Sequence, residues 1–382
     1  MSAASAYEPA EAVSGHTTFA VVTGGGTSGH VLAATAIADA LVARGHDRAT
    51  IHYVGTTRGV ERRLLPPTGY DYTLLDVVGL QRRLSLRNLA FIPKLLRSTY
   101  RAIKLIRRLS PKVVVNVGGY ASVPATVAAM LCRIPVVVVS YDRRPGLVSK
   151  LAARRAVACA VAFAGSTLPR ATLTGAPVRQ EVLAVDRLRD RQQALSQLDL
   201  ADDRFVLAVF GGSLGAKRLN DVTAELVRRL ADRRDLAVYH IVGERNLADA
   251  APARDGSAGI MYRVLGYEDR MPLVYAVADL MMTRAGASTI AELATAGVPA
   301  LIVPWPRAAD DHQVDNARQL TDHGGAVLIL EADLTADRLI REVTELMADR
   351  GKLAAMSGSA AAIGKPNRSG ALVDLIERVA AP

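Results

Sequence analysis

The sequence predicts an α/β protein built from two doubly wound parallel-sheet domains that face each other across a cleft. Two stretches, FAVVTGGGTSGHV at 19–31 and RFVLAVFGGSLGAKRLN at 204–220, each join a β-branched apolar run to a glycine-rich turn and helix-compatible sequence. The chain has 382 residues, more than the roughly 250–300 at which a single core stops growing. Half of it is apolar but only 4% aromatic, as expected of small-residue helices packed on parallel strands.

The first domain is predicted at 17–180, after a disordered tail at 1–16. It opens with a strand, a glycine turn and a helix at 18–44, followed by a strand at 50–54 and a basic segment. Two further apolar runs, VVVNV and PVVVVS, continue the alternation to GAPV at 175–178. This spacing of strands and helices predicts a parallel sheet covered on both faces.

The second domain is predicted at 204–365, beyond a polar linker at 181–203. Strand and helix patterns again alternate, through LAVYHIVG, YRVLGY, LMMTRAGASTIAELATAG and ALIVPWP. The last segment, 366–382, contains a helical pattern at 372–380, and we expect it to return towards the first domain. Glycine turns that open helices let an anion approach the helix N-terminus, so both domains predict contact with a phosphorylated ligand.

The basic segment of the first domain combines cations with apolar residues. No acidic residue occurs between Asp76 and Asp142, and ten of the eleven Arg and Lys in that interval fall between Arg82 and Lys112. A basic amphipathic helix suits an anionic membrane surface. The alternative is an ordinary surface helix whose cations reach into solvent. Few aromatics and no nucleic-acid-binding motif argue against nucleic acid as the partner.

Cysteine content and hydropathy restrict the protein class. Cys132 and Cys159 lie far apart in apolar surroundings, which disfavours a disulfide framework or a zinc site and fits a reducing cytoplasm. No apolar run reaches the ~20 residues of a membrane helix. We therefore expect a protein without a cysteine-bound zinc site or a membrane span.

The first glycine turn is compatible with several functions. Gly24, Gly26 and Gly29 match G-x-G-x-x-G, but the following strand ends in Gly-Thr-Thr without the acidic residue that a nicotinamide dinucleotide requires. A dehydrogenase is accordingly disfavoured. His30 stands at the helix entry, where the dipole favours the neutral imidazole of a general base. A structural histidine is the alternative.

The segment from Thr283 to Leu320 carries the most specific pattern. Its helix opens with Ala-Ser-Thr, and Glu292 follows Thr289 by three residues. One interpretation is a capping box. The other is a pyrophosphate site at the helix N-terminus, with the carboxylate one turn deeper on a ribose. A polar cluster downstream, including Gln313 and Asn316, suits the hydroxyls of a sugar.

Taken in order, GGGTSGH, VGGYASVP, GAPVR, FGGSLGAKRLN and RAGASTIAE followed by DHQVDNA resemble the MurG family, from about residue 20 to 380. This resemblance implies a GT-B architecture of two Rossmann-like domains. It implies a metal- and cofactor-independent, inverting hexosyltransferase that moves N-acetylglucosamine from UDP-N-acetylglucosamine to lipid I, forming lipid II for peptidoglycan. It also implies a peripheral protein on the cytoplasmic face of the cell membrane, with cell-wall synthesis or division proteins as further partners.

The resemblance assigns roles in the first domain residue by residue. Thr27, Ser28 and Gly29 match donor contacts, and His30 matches the histidine near the reaction centre. Arg179 of GAPVR matches a diphosphate contact. The membrane and acceptor surface is implied for Leu80, Arg82, Arg83, Phe91, Lys94 and Arg97.

The second domain supplies most of the donor contacts that the resemblance implies. In chain order they are Ser213, Glu268, Ala287, Ser288, Thr289, Glu292, His312, Gln313 and Asn316. Ser213 and the turn at 287–289 are implied at the diphosphate, and Glu292 at the ribose. Gln313 and Asn316 are implied at the sugar. At the uracil edge, around Glu268, the family uses backbone groups.

One motif departs from the family pattern. Family members carry His-Glu-Gln-Asn where this chain has Ser140, Tyr141, Asp142 and Arg143. The asparagine contacts the donor sugar in the family, so Arg143 is expected either to serve a diphosphate or to mark a changed sugar or acceptor. Asp142 is a second candidate for the general base, after His30.

Three other functions stay open on the sequence. A related transferase acting on another lipid or on a secondary metabolite would keep the donor half and change the acceptor half. A UDP-sugar 2-epimerase of related fold would need acid and base carboxylates that the first-domain loops scarcely provide. An inactive sugar-nucleotide-binding or membrane scaffold would tolerate Arg143.

Overall fold

The computed structural model describes residues 17–79, 91–212, 215–308 and 312–381. It contains two seven-stranded sheets, ordered β3-β2-β1-β4-β5-β6-β7 and β10-β11-β9-β8-β12-β13-β14. Every strand pair is parallel except β10 with β11. Two parallel-sheet α/β domains are the fold class predicted from the sequence, which is confirmed.

The strands of the first sheet are β1 (Ala20–Thr23), β2 (Ile51–Thr56), β3 (Asp71–Leu75), β4 (Val113–Asn116), β5 (Val136–Ser140), β6 (Ala158–Val161) and β7 (Ala171–Leu173). The helices of this half are α1 (Ser28–Ala43), α2 (Glu61–Leu64), α3 (Phe91–Leu109), α4 (Val123–Leu131) and α5 (Leu147–Ala153). Two further helices, α6 (Gln180–Leu183) and α7 (Arg187–Gln197), lie between the sheets in the chain.

The strands of the second sheet are β8 (Phe205–Phe210), β9 (Leu236–Ile241), β10 (Arg254–Asp255), β11 (Met261–Leu265), β12 (Leu280–Thr283), β13 (Ala300–Ile302) and β14 (Ala326–Leu328). Its helices are α8 (Lys217–Arg229), α9 (Met271–Val277), α10 (Ala287–Ala296), α11 (His312–Thr321), α12 (Ala336–Ala348) and α13 (Arg350–Gly364). The chain ends in α14 (Ala371–Ala380).

The strand order determines where the site lies. In the first sheet β1 pairs with both β2 and β4, so the chain reverses direction across the sheet between β1 and β4. Ligands of doubly wound sheets bind outside the carboxyl ends of strands at such a reversal. The glycine turn after β1 and Gly118–Gly119 after β4 both lie at this end. In the second sheet the corresponding reversal is between β8 and β12.

The last helix ties the two halves of the chain together. α14 packs on α1 and on strands β4, β5 and β6 of the first domain. Arg44 forms an ion pair with Asp374, and His46 is 3.0 Å from Glu377. The C-terminal helix thus lies against the first domain.

Helix α3 is strongly amphipathic, and three of its large apolar side chains face outward. Ile92, Leu96 and Tyr100 are 62%, 65% and 58% exposed, spaced four residues apart on one side of the helix. Leu131 of the neighbouring α4 is 64% exposed. We call the three residues of α3 the apolar patch. Among the described helices, none is long and apolar enough to cross a bilayer.

Candidate functional site

His30 lies on the first turn of α1, half-buried between two glycine turns. Its Nδ1 is 2.8 Å from the hydroxyl of Thr27. A Cβ on Gly118 would approach the ring Nε2 to 3.4 Å, and one on Gly119 would lie 2.4 Å from the carbonyl oxygen of Gly25. Only glycine therefore lets the β4–α4 turn close over this histidine.

The electrostatics around His30 favour its neutral form. Burial lowers its pKa below the ordinary 6.5, while the negative charges of Asp142 and Glu61 act in the opposite direction. A neutral imidazole at neutral pH is the form that accepts a proton. The phenol of Tyr141 lies edge-on to the imidazole, with ring centroids 6.3 Å apart, and donates to the Gly29 carbonyl at 3.3 Å.

The glycine turn between β1 and α1 differs in one respect from the anion-binding turn that the sequence predicts. The amide of Gly26 does not point to an open site but donates to the buried carboxylate of Glu61 at 2.9 Å. The sequence analysis did not single out Glu61, because a glutamate in a polar-looking stretch carries no sign that it is buried. Ser28 and Gly29 begin α1, so their amides are at the helix N-terminus.

The turn before α10 provides the second helix N-terminus of the cleft. Gly286 is the N-cap and no side chain caps the helix, so the capping-box interpretation of Thr289 and Glu292 is wrong. The hydroxyl of Ser288 lies 3.4 Å from the carbonyl oxygen of Gly29. The α10 turn and the α1 turn thus face each other across the domain boundary.

The Glu292 carboxylate accepts hydrogen bonds from two side chains instead of capping α10. Arg179 donates from Nε to Oε1 at 2.9 Å, and the hydroxyl of Tyr275 donates to Oε2 at 2.7 Å. These side chains of arginine and glutamate are 20% and 12% exposed. The two residues that the resemblance assigned to diphosphate and ribose therefore form one ion pair.

Asp142, Arg143 and Asn316 form a contact between the domains that we call the clasp. Asn316 is fully buried, and its Nδ2 donates to Asp142 at 3.1 Å and to the Ala285 carbonyl at 3.3 Å. Its Oδ1 accepts from the backbone amide of Arg143 at 3.1 Å. The amide group predicted to recognise the sugar is thus engaged by the segment that departs from the family motif.

Two ion pairs extend the clasp towards solvent. The guanidinium of Arg143 is 3.4 Å from Asp322, and that of Arg144 is 2.5 Å from Asp315. The Arg143 side chain thus contacts the residue that follows α11.

Among the remaining predicted donor residues of the second domain, Gln313 has structural contacts of its own. Gln313 accepts through Oε1 from the amides of Ala285 and Trp305, at 3.3 and 2.9 Å, which joins the loops after β12 and β13. His312 begins α11. Ala287 begins α10, with Thr289 two residues further on.

Glu268 is a buried structural carboxylate. It accepts from the Tyr239 hydroxyl, and from the backbone amide and Nε of Arg270 at 2.8 and 3.0 Å. Burial acts to raise its pKa, but the bonds from Arg270 and Tyr239 outweigh that and lower it. Its carboxylate is thus engaged by residues of the same domain. The predicted contact with uracil at this position uses backbone groups and does not require the side chain.

The membrane and acceptor residues are described only in part. Leu80, Arg82 and Arg83 lie outside the described residues, as does Ser213 of the donor set. Phe91 begins α3, Lys94 is 3.4 Å from Asp76, and Arg97 is exposed on the same helix.

Both halves of the chain match models of one family. Residues 20–161 match the glycosyltransferase family 28 N-terminal domain, and residues 206–371 match the family's C-terminal domain. Curated relatives from Desulforudis audaxviator and Acidothermus cellulolyticus are 38% and 39% identical over 370 and 365 residues, covering 94% of this chain and 98% of theirs. Each is named a UDP-N-acetylglucosamine–N-acetylmuramyl-(pentapeptide) pyrophosphoryl-undecaprenol N-acetylglucosamine transferase.

Solved structures agree with this assignment. The crystal structure of Acinetobacter baumannii MurG superposes with a TM-score of 0.73 at 31% identity, covering 94% of this chain and 99% of that one. A UDP-GlcNAc 2-epimerase from Neisseria meningitidis, bound to UDP-GlcNAc, has a TM-score of 0.64 at 14% identity, with coverages of 94% and 100%. The second likeness shows a common fold only.

Proposed function

The chain belongs to the MurG family within glycosyltransferase family 28, and from this membership we propose that it transfers N-acetylglucosamine from UDP-N-acetylglucosamine to lipid I, producing lipid II. The observation that carries the proposal is the match of both halves, because it covers the domain predicted to hold the donor and the domain predicted to hold the acceptor. An unrelated acceptor would require only the donor half to be kept.

The donor diphosphate is proposed at the N-terminus of α10, beside Arg179. Amides at a helix N-terminus and a guanidinium both attract this charge. Glu292 would then exchange part of its contact with Arg179 for the ribose hydroxyls, so donor binding rearranges an existing ion pair. The uracil is proposed at the backbone near Glu268, beside the half-exposed ring of Tyr267.

The chemistry we propose is a single inverting displacement. The acceptor sugar hydroxyl attacks the anomeric carbon, its oxygen–carbon bond forms, and UDP leaves with the electron pair of the broken bond. His30 takes the hydroxyl proton. Because Nδ1 of His30 contacts the Thr27 hydroxyl, Nε2 is the nitrogen that accepts the proton. Asp142 is the weaker candidate for the base.

We propose that the reaction needs no metal ion. The negative charge that develops on the departing diphosphate would be stabilised by the amides that open α10 and by Arg179, which are groups fixed before the reaction. Closure of the two domains would exclude water and limit donor hydrolysis.

A lipid acceptor implies contact with a membrane, and we propose that α3 provides it on the cytoplasmic face. The apolar patch gives side chains that can enter the headgroup region, and the flanking cations of α3 attract anionic lipid by about 1 kcal/mol each. Cell-wall synthesis or division proteins are proposed as neighbours at this surface.

The proposal is tested by transfer of radiolabelled N-acetylglucosamine from its UDP donor to a short-chain lipid I analogue. Donor hydrolysis, UDP-glucose and EDTA are run in parallel. We expect product that requires both substrates and resists EDTA. Donor binding or slow hydrolysis without transfer would contradict the acceptor assignment and direct the search to other lipids, whereas loss of transfer in EDTA would contradict only metal independence.

A further inference from the structure

Glu61 is a charged residue inside the first domain that no step of the proposed reaction uses. It begins the short helix α2 after β2 and is completely buried. Charged side chains are seldom fully buried without a role for the charge.

The carboxylate holds two pieces of backbone together. Its Oε1 accepts from the amide of Gly26 at 2.9 Å and from that of Thr56 at 3.2 Å. The first amide belongs to the turn after β1 and the second to the end of β2. Glu61 therefore fixes the turn from which α1 and His30 start.

Glycines make room for this side chain. A Cβ on Gly25 would lie 2.1 Å from Oε1, and one on Gly59 would lie 1.8 Å from Oε2. Part of the glycine pattern after β1 is thus explained by a carboxylate beneath the turn, and not by a phosphate above it.

The charge of Glu61 is only partly compensated. Among the described residues, Oε2 is buried without a hydrogen-bond partner. The titratable groups that its charge reaches include His30 and the phenols of Tyr53 and Tyr120. Around His30 the other such groups are Asp142 and the phenol of Tyr141.

From this geometry we infer that Glu61 is a positioning residue for the proposed transfer: it fixes the turn that carries His30 and offsets the positive charge that His30 acquires on taking the acceptor proton. The inference rests on the proposed function. The proton passes from the acceptor hydroxyl to His30, while Glu61 takes no part in the proton transfer and touches no substrate.

The charge is tested with Glu61→Gln, which keeps one oxygen for the two amides and removes the negative charge. The matched control is Asp39→Asn, whose carboxylate on α1 accepts from Tyr70 at 2.6 Å and is not among the charges acting on His30. The pKa of His30 is read by NMR titration, with His30→Gln to assign its signal, and the transfer kinetics are measured in parallel.

We expect Glu61→Gln to lower the pKa of His30 further and to reduce kcat by about tenfold or more, with the donor KM little changed. Asp39→Asn should leave both quantities near wild type. An unchanged His30 pKa in a folded Glu61→Gln protein would overturn the inference, even if kcat fell.

Glu61→Asp separates position from charge, and it decides the matter if Glu61→Gln does not fold. The shorter side chain keeps the charge but cannot reach both amides, so kcat should fall while the His30 pKa stays near wild type. Transfer at the wild-type rate by Glu61→Asp would overturn the positioning role. Because the His30 titration requires no turnover, it remains interpretable if the wild-type protein fails to use lipid I.

Discussion

Asn316→Ala is the substitution that best separates a role in joining the domains from a role in recognising the sugar. The wild-type side chain makes three hydrogen bonds, to Asp142, to the Arg143 amide and to the Ala285 carbonyl. A bond to a charged group contributes about 1.5–3 kcal/mol and a neutral bond about 0.5–1.5 kcal/mol. Because the freed groups of Asp142 and Arg143 can be rehydrated, we expect a loss of about 3 kcal/mol.

The assays are thermal unfolding of the protein without ligand, which gives the Tm, and small-angle scattering of the folded protein, which gives the radius of gyration. A loss of about 3 kcal/mol corresponds to a fall in Tm of roughly 6–12 °C for a domain of this size. We also expect a larger radius of gyration, since the clasp joins the two domains. Asn220→Ala is the matched control, because its side chain bonds Val242 and His240 within the second domain only. It should lower Tm without changing the radius of gyration.

The opposite result would refute this reasoning. If Asn316 serves only the donor sugar, Asn316→Ala will unfold at the wild-type temperature without ligand and will raise the donor KM alone. A lowered Tm with an unchanged radius of gyration would place the loss inside the second domain and remove the clasp as a link between domains.

Three further predictions concern acid, the donor site and the membrane. Burial lowers the pKa of His240 from 6.5 to about 4. Its stabilising contribution is therefore present above pH 6.5 and is lost as the pH falls towards 4, and at 1.36 kcal/mol per pKa unit it amounts to about 3 kcal/mol. The free energies of unfolding from urea titrations at pH 7 and 4.5 should differ less in His240→Gln than in the wild type. Arg179→Ala leaves Glu292 with Tyr275 as its partner. It should lower the free energy of unfolding measured in urea by about 2 kcal/mol and should raise the donor KM. An unchanged KM would remove Arg179 from the donor site. Leu96→Ser should weaken binding to anionic vesicles several-fold in sedimentation assays, and raised salt should weaken the binding of the wild type as well. Leu188→Ser, at an exposed leucine of the linker, serves as the control.

The fold was predictable because its signals are local. A β-branched run, a glycine turn and a helix pattern recur in both halves, and each corresponds to a strand and helix of the structure. The facing of the Ser288 and Gly29 turns across the cleft depends on how two separate sheets pack, which no local pattern encodes. The ion pair of Arg179 with Glu292 joins residues 113 positions apart, so the local spacing left a capping box and a pyrophosphate site as alternatives and did not indicate this partner.

Glu61 was missed for a different reason. The burial of a carboxylate depends on the glycines that surround it in space, and these are Gly25 in the turn after β1, Gly55 near the end of β2 and Gly59 just beyond that strand. In the sequence, the glycine turn that contains Gly25 suggests an approaching phosphate. A pattern of small residues shows that something comes close to the backbone, but not whether it is a ligand or a side chain of the same chain.

The departure at 140–143 can be weighed from the atoms that make the contacts. Asn316 accepts from the backbone amide of Arg143, which any residue except proline would supply. Among the described residues, the arginine side chain forms an ion pair with Asp322, a half-exposed pair of the kind that contributes about 0–1 kcal/mol. The clasp therefore depends on the path of the chain and on Asp142 far more than on the guanidinium. Replacing the family asparagine by Arg143 is thus compatible with an intact contact to α11, and its consequences are to be sought in the ligand that fills the cleft.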